Sequence, residues 1–350
     1  MNKKVTIQDI ADALGISRNT VSKAINNSDG LADATREKIL KKAVEMGYKQ
    51  FSYVSTMSNL VASRTVLNDN QPKYAGEIAL FTSFYLPYNH FASLFLDKFH
   101  REITGLGYSL TIHRITRENL QNRTLPVTYI PERVVAIVCT EVFNQEYADL
   151  ICNTDLPVLF VDGPARIKGE TLNADMLLMN NMTEITRFVN LMLERGFKKI
   201  GFIGDYTHCQ SFYERYSALR LAMLMAGLPV EEKYIIPFKD RDTDALSDAL
   251  DDLDELPDVF ICANDFYAID ALQILAQRNR KNLKKVRFLG FDDTHESRIF
   301  YPTLSTVHIH SQAMAYSAMQ LLMSRMQEPS IDYRSVHVAT DLILRDSTEF

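Results

Sequence analysis

The chain has 350 residues, 46% of them hydrophobic, and a formal net charge of −6, enough length to bury the cores of two or three domains. No run of about 18 apolar residues is present, which excludes a transmembrane helix, and the opening MNKKVTIQDIADAL runs straight into charged residues, unlike a secretory signal. Cys139, Cys152, Cys209 and Cys262 are widely spaced with no Cys-x-x-Cys or Cys/His cluster, so neither a disulfide framework nor a metal site is expected, and a reducing cytoplasm fits.

The first elements are small and helical. Thr6 and Asp9 have capping-box spacing, so a helix is predicted from Ile7, with Ile7, Ile10, Ala11 and Leu14 on one face. Gly15 can take the positive φ that ends it. Ser17 then caps a second helix that buries Val21, Ala24 and Ile25, which makes a helix-turn-helix. Arg18, Asn19, Ser22 and Lys23 fall on its outer side. Arg or Lys can donate to guanine and Asn can pair with adenine, while Thr20, Ser22 and the first-turn amides suit phosphates. A third helix is predicted in TREKILKKAVEMGY, burying Ile39, Leu40, Ala43 and Met46 beneath Lys38, Lys41 and Lys42. A plain amphipathic hairpin with a solvated face is the competing reading, and the basic third helix argues against it.

Charge sets this head apart. Through Arg64 there are ten Lys and Arg against six Asp and Glu, a surplus of +4 that leaves −10 for residues 65–350. A basic head on an acidic body suits a head that meets a polyanion. Residues 1–50 are taken as the DNA-binding domain, 51–73 as hinge and linker, and 74–350 as the core. Residues 52–59 are polar and weakly helical, as expected of a segment that folds on binding.

In the core, strands are predicted at 76–84, 107–115, 133–140, 156–162, 198–204, 233–238, 257–264 and 285–291, with helical stretches between most of them. Apolar strands alternating with helices indicate parallel sheets covered on both faces, here two doubly wound lobes with a ligand crevice at the carboxyl ends of their strands. Enzyme signatures are missing. Gly201-Phe202-Ile203-Gly204 lacks the spacing and lysine of a phosphate loop, and no nucleophile elbow or zinc helix is present, so no catalytic residue and no cofactor is expected.

The residues Thr6-Ile7-Gln8-Asp9-Ile10-Ala11, Gly15-Ile16-Ser17, Thr20-Val21-Ser22-Lys23, Asn26-Asn27, Thr35-Arg36-Glu37 and Gly47-Tyr48 resemble the head of the LacI/GalR family of bacterial transcription regulators. The core is similar to that family's effector domain, related to periplasmic sugar-binding proteins, at Pro157–Asp162, Arg195–Ile200, Ala263-Asn264-Asp265, Gly290–Asp293, Tyr301–Val307 and Leu344–Ser347. The resemblance covers nearly the whole chain. It implies DNA contacts from Thr6, Ser17, Arg18, Asn19, Thr20, Ser22, Lys23 and Asn26. Met57 stands where the family's hinge helix carries its minor-groove wedge, and Gln50 and Phe51 replace the usual Pro-Asn. Lys23 stands where Arg is more usual.

For the core, the resemblance implies three chain crossings between lobes, near residues 173, 307 and 337. Lobe 1 would hold about 74–173 and 308–336, and lobe 2 about 174–307 and 337–350. At the matching cleft positions Asp162, Asn264 and Asp292 each end an apolar strand, Arg215 offers a planar donor fork, and Phe84 or Phe91 could stack on a sugar face. Asp265 is expected to be a helix N-cap. Asn180-Asn181, Glu184 and Ser217 depart from the family pattern. The function implied is a repressor that binds a near-palindromic double-stranded operator as a homodimer, with affinity set by a small effector, a sugar or related metabolite, between the lobes. The chain ends at Phe350 without a leucine heptad, so a dimer rather than a tetramer is expected. The alternative is a solute-binding-protein-like sensor whose cleft is degenerate or regulated by a protein.

Overall fold

The computed structural model describes residues 5–25, 35, 38, 39, 42, 43, 46, 74–83, 90–277 and 286–349, the side chains of 25 and 90–92 excepted. The chain divides into two compact units, residues 1–72 and 73–350.

In the first unit, α1 (Ile7–Leu14) opens on the expected capping box. The Thr6 hydroxyl accepts from the Asp9 amide, and the Asp9 carboxylate takes the Thr6 amide at 2.8 Å. Gly15 closes the helix at φ 64°, its amide reaching Ala11 and Asp12, a conformation that any Cβ would strain. Helix α2 (Arg18–Ile25) follows, and the Ser17 hydroxyl accepts from the Thr20 amide at 3.1 Å. Ile10, Ala11, Val21, Ala24, Ile39 and Ala43 form a dry core, with Met46 packed against it. Helical backbone at residues 35, 38, 39, 42 and 43 lies in the predicted third helix.

The second unit holds two parallel sheets. The first has strands β1 (Gly76–Thr82), β2 (Tyr108–Arg114), β3 (Val134–Thr140), β4 (Val158–Val161), β5 (Asp175–Met179) and β11 (Ser335–Val338), in the order β11-β5-β4-β3-β1-β2. The second has β6 (Ile200–Ile203), β7 (Ile235–Ile236), β8 (Val259–Cys262) and β9 (Arg287–Leu289), in the order β7-β6-β8-β9. Strands β3, β4, β5, β6 and β8 are apolar and buried along nearly their whole length because helices cover both faces. On one face of the first sheet Phe81, Ile137, Cys139 and Phe160 pack with Tyr147 and Ile151. Of the helices, α3 (His90–Gly105), α4 (Arg117–Asn122), α5 (Gln145–Cys152) and, late in the chain, α11 (Ser311–Gln327) belong to the first lobe. Helices α6 (Thr183–Glu194), α7 (Gln210–Met225), α8 (Thr243–Asp251), α9 (Asp265–Gln277) and α10 (His295–Ile299) belong to the second. All four cysteines are free thiols.

Two further strands, β10 (Thr306–Ile309) and β12 (Thr340–Ile343), pair antiparallel and carry the chain between the lobes. The first crossing differs from the expectation. Strand β5 pairs with β4 and β11, so the chain leaves the first sheet after Met179 and not near residue 173. Residues 174–179 therefore move from lobe 2 to lobe 1. This crossing is bonded to the third: the Asn180 amide donates to the Val338 carbonyl at 2.7 Å, and the Thr340 hydroxyl donates to the Asn180 carbonyl at 2.9 Å. Asn180 has a second task, since its side-chain oxygen accepts from the Met182 and Thr183 amides and caps α6.

Candidate functional site

The first candidate surface is α2. Arg18, Asn19 and Lys23 are exposed, as a reader of base edges must be, while Thr20 and Ser22 are part-buried. Thr6 and Ser17 are helix caps, and the Ser17 and Thr20 hydroxyls lie 2.7 Å apart. Their hydroxyls thus hold the two helices in shape, whatever else they touch. Asn26, Gln50, Phe51 and Met57 lie outside the described residues, as do Phe84 and the Phe91 side chain.

The second candidate lies between the lobes of the core, at the carboxyl ends of both sheets. Three strands end in an acid with left-handed backbone: Glu141 after β3 at φ 58°, Asp162 after β4 at φ 59°, and Asp292 after β9 at φ 110°. Non-glycine residues seldom adopt such angles, and where they persist the surroundings hold them there. Arg215 sits in α7 and is 2% exposed. Its Nε donates to the Asn181 side-chain oxygen at 2.9 Å, one terminal nitrogen donates to the Ala263 carbonyl at the end of β8, and the guanidinium lies 3.5 Å from the Phe291 ring centroid. The fork is therefore fixed before any ligand arrives, tied to the first crossing on one side and to the second sheet on the other.

The acids differ in state. Asp162 reaches across the lobes: its Oδ1 accepts from the Gly163 amide at 2.8 Å and from Ser211, in the first turn of α7, at 3.1 Å. Burial raises the carboxyl above its usual range, and these bonds and Arg215 only partly offset it. Asp292 is pushed up to about 8, mainly by burial, with Arg215 opposing and Asp265, Glu141 and Asp162 adding repulsion. Its carboxyl has no hydrogen-bond partner among the described residues. Glu141, which the sequence reading passed over, could have been found by the rule that singled out Asp162 and Asp292, an acid directly after an apolar strand.

The helix cap falls to Asn264 and not to Asp265. The Asn264 side-chain oxygen accepts from the Tyr267 amide at 2.9 Å, so Asn264 caps α9. Asp265 is a buried strut and not the cap. Its carboxylate accepts from the Thr294 amide at 2.7 Å, the Thr294 hydroxyl at 3.0 Å and the Thr306 hydroxyl at 2.5 Å. Burial still pushes it up to about 6. Gly290 makes room for it, since a Cβ there would lie 2.1 Å from Asp265 Oδ1.

An aromatic wall continues the cleft. Phe143 of the first lobe meets His208 of the second with ring centroids 4.7 Å apart, and His208 meets Phe212 at 5.4 Å. Burial lowers the His208 pKa, against the pull of Asp162, Asp205 and Asp240, and keeps the ring neutral. Beside the wall, the lobes are latched by Gln210, whose amide donates to the Gly163 carbonyl at 2.9 Å and whose side-chain oxygen accepts from the Arg166 amide at 3.0 Å. His337 on β11 lies 3.4 Å from Glu214 on α7, and Glu214 also accepts from Asn181 at 2.9 Å.

Residues 6–50 match the family described as bacterial regulatory proteins, lacI family, and residues 189–348 match the periplasmic binding protein-like domain. The chain belongs to the LacI family. This LacI-family protein is 25% identical over 351 residues to the HTH-type transcriptional repressor PurR of Pasteurella multocida (strain Pm70), covering 98% of each chain. To the PurR repressor of Actinobacillus pleuropneumoniae serotype 3 (strain JL03) it is 27% identical over 348 residues, again 98% of each. Its fold is that of the transcriptional regulator CelR–cellobiose complex (TM-score 0.65, 19% identity, 98% of this chain and 100% of that one). It is also that of the lac repressor dimer bound to operator and the anti-inducer ONPF (TM-score 0.62, 18% identity, 99% of each chain). The LacI-family chain is thus a DNA-binding transcriptional repressor with an effector-binding core, and a regulator and not an enzyme.

Proposed function

We propose that this repressor binds a near-palindromic operator as a homodimer in the cytoplasm, and that a small polyhydroxylated metabolite held between the lobes sets its operator affinity. Arg18 and Asn19 read bases in the major groove, with Lys23 beside them, while Thr20, Ser22 and the caps at Thr6 and Ser17 place the helix on the phosphates. Asn26 and Met57 complete the DNA contacts. In the cleft, Arg215, Asp292, Asp162 and the Asn264 amide are the polar contacts, and Phe84 and Phe91 are the stacking candidates.

The observation that carries this reading is Arg215. A buried guanidinium bonded to Asn181 beside the first crossing and to the end of β8 links the cleft to the segment that sets lobe orientation. A ligand shifts the operator-competent population only by its differential affinity for the two lobe arrangements, and Arg215 is placed to make that difference. Support also comes from fold relatives whose structures hold sugars, the cellobiose complex above and a regulator from Alkaliphilus metalliredigens QYMF complexed with D-xylulofuranose (TM-score 0.59, 18% identity).

The test begins with operator selection from a random duplex library, followed by titration of the selected duplex at several salt concentrations. The logarithm of the binding constant is expected to fall by about 0.9 per phosphate contact for each decade of salt. Salt-independent binding, or no selected sequence, would refute the DNA reading.

A further inference from the structure

Lobe 1 reaches the holder of Arg215 through one carboxylate. Glu214 precedes Arg215 on α7, its side chain is only 13% exposed, and both of its oxygens are engaged. Oε2 accepts from the Asn181 side chain at 2.9 Å, and Asn181, fully buried, accepts from Arg215 Nε at 2.9 Å. Oε1 accepts from the Gln210 side chain at 3.0 Å, and His337 Nε2 lies 3.4 Å from it. Gln210 is itself bonded to lobe 1 at Gly163 and Arg166. Glu214 thus stands between the cleft guanidinium and two attachments to lobe 1, one an amide and the other an ionisable ring.

The ring is the attachment that can change. His337 lies on the edge strand β11 and precedes Val338, whose carbonyl holds the first crossing at Asn180. Its side chain is 41% exposed, open to protons from solvent. The charged groups facing it are Glu214 from α7 and, opposing protonation, Arg166 from the segment after β4, while β5 sets Leu178 beside it in the sheet. A neutral ring at 3.4 Å makes a loose contact, and a protonated one makes a charge-assisted hydrogen bond. Glu214 accordingly raises the His337 pKa. Burial works against the Glu214 carboxylate, yet His337, Gln210 and Asn181 together hold it low.

We propose that His337 is a positioning residue for the allosteric response: its protonation closes a clasp from lobe 1 onto Glu214, stabilises this lobe arrangement around the Asn181–Arg215 pair, and so makes operator affinity depend on pH near neutrality. This rests on the lobe arrangement setting operator affinity. The proton acts as any ligand does, binding more tightly where Glu214 is within reach and with ordinary strength where the lobes part. Acid therefore favours the arrangement described, and that stabilisation is lost as pH rises through the raised His337 value. The head has no histidine of its own, since residues 1–89 contain none. A part-exposed ion pair of this kind is worth about two- to fivefold per protomer.

The experiment measures operator affinity of the full chain, on the selected duplex, from pH 6 to 8 at constant ionic strength. Wild type is compared with His337→Gln and His337→Lys. Wild-type affinity is expected to change by about two- to fivefold per protomer over this range; a fall in acid would mark the clasped arrangement as the operator-incompetent one, a rise as the competent one. His337→Gln should remove that part of the change, and His337→Lys, charged throughout, should carry the pH 6 behaviour up to pH 8. Proton NMR of the histidine rings follows the clasp without DNA. The signal missing from His337→Gln should titrate above the usual 6.5 and move down in Glu214→Gln. Affinity curves of the same shape for wild type and His337→Gln overturn the coupling, and a midpoint that Glu214→Gln leaves in place overturns the clasp. Both results leave salt-dependent operator binding intact. Loss of operator binding at every pH, in every variant, is the separate result that would sink the DNA reading and this proposal with it.

Discussion

Asp292→Asn tests the electrostatics of the cleft without any ligand. The carboxyl is raised from 3.8 to about 8 in the folded chain, chiefly by burial. A group raised on folding binds a proton that the unfolded chain has already released. Its contribution is therefore fully present below about pH 4 and is lost as pH climbs toward 8. At pH 7 the cost reaches about 4 kcal/mol at about 1.4 kcal/mol per pH unit, and the partial exposure of Asp292 to water reduces it to about 2 kcal/mol. Asparagine has the shape of the protonated acid and no charge to bury, so the variant recovers this amount. For a unit of this size the melting temperature should rise by about 4–8 °C at pH 7, and by less than half of that at pH 5. Differential scanning fluorimetry of both proteins from pH 5 to 8.5 measures it. Asp175, held low by Arg325 and Arg334, and Asp293, held low by His308, Arg298 and Arg345, titrate in both proteins and cancel in the difference, whereas Asp162 and Asp265, which repel the Asp292 carboxylate, contribute to it. A gap that stays flat with pH, or an Asn variant that melts lower throughout, would refute the reasoning.

Three other tests, with four substitutions, probe separate links. Arg18→Ala should relax base preference while Lys42→Ala weakens all duplexes alike and lowers the salt slope by about 1; indistinguishable selection profiles would contradict the placement of α2. Asp175 accepts from Arg325 Nε at 3.0 Å, from the Arg334 amide at 2.8 Å and from the Arg334 side chain at 3.2 Å, so Asp175→Ala strands two arginines and should cost about 3–5 kcal/mol by urea melt. A cost under 1 kcal/mol would mean that water solvates the pair. Ser17→Ala removes the acceptor for the Thr20 amide and should cost the head about 1 kcal/mol, read from hydrogen exchange of the α2 amides, with unchanged protection counting against the cap.

Local rules made the head legible. Thr6, Asp9, Gly15 and Ser17 each act within three or four residues, and the structure uses all four for capping or turning. The parallel strands were legible where they were rich in valine and isoleucine, as in Val134–Thr140. Strand β5 was not. Asp-Met-Leu-Leu-Met has no β-branched residue, so only its sheet partners mark it as extended, and those come from β4 and from β11 more than 150 residues later. The site shows the same divide. A strand-end acid can be read from sequence, which found Asp162 and Asp292, but not which of two adjacent polar residues caps a helix. Asn264 takes the cap because Asp265 is drawn to Thr294 and Thr306, contacts that exist only once β10 is in place. The partnership of Arg215 with Asn181 spans 34 positions and carries no local signal.

The bonding between the crossings has a mechanical meaning. Three independent tethers would let the lobes slide, twist and tilt with little correlation among them. Here the first crossing is bonded to the third through Asn180, Val338 and Thr340, and the third is laddered to the second from Thr306–Ile343 to Ile309–Thr340. The three crossings behave as one leaf spring. It bends readily about the axis in its own plane and resists shear, so a push anywhere in the cleft emerges as nearly the same rotation.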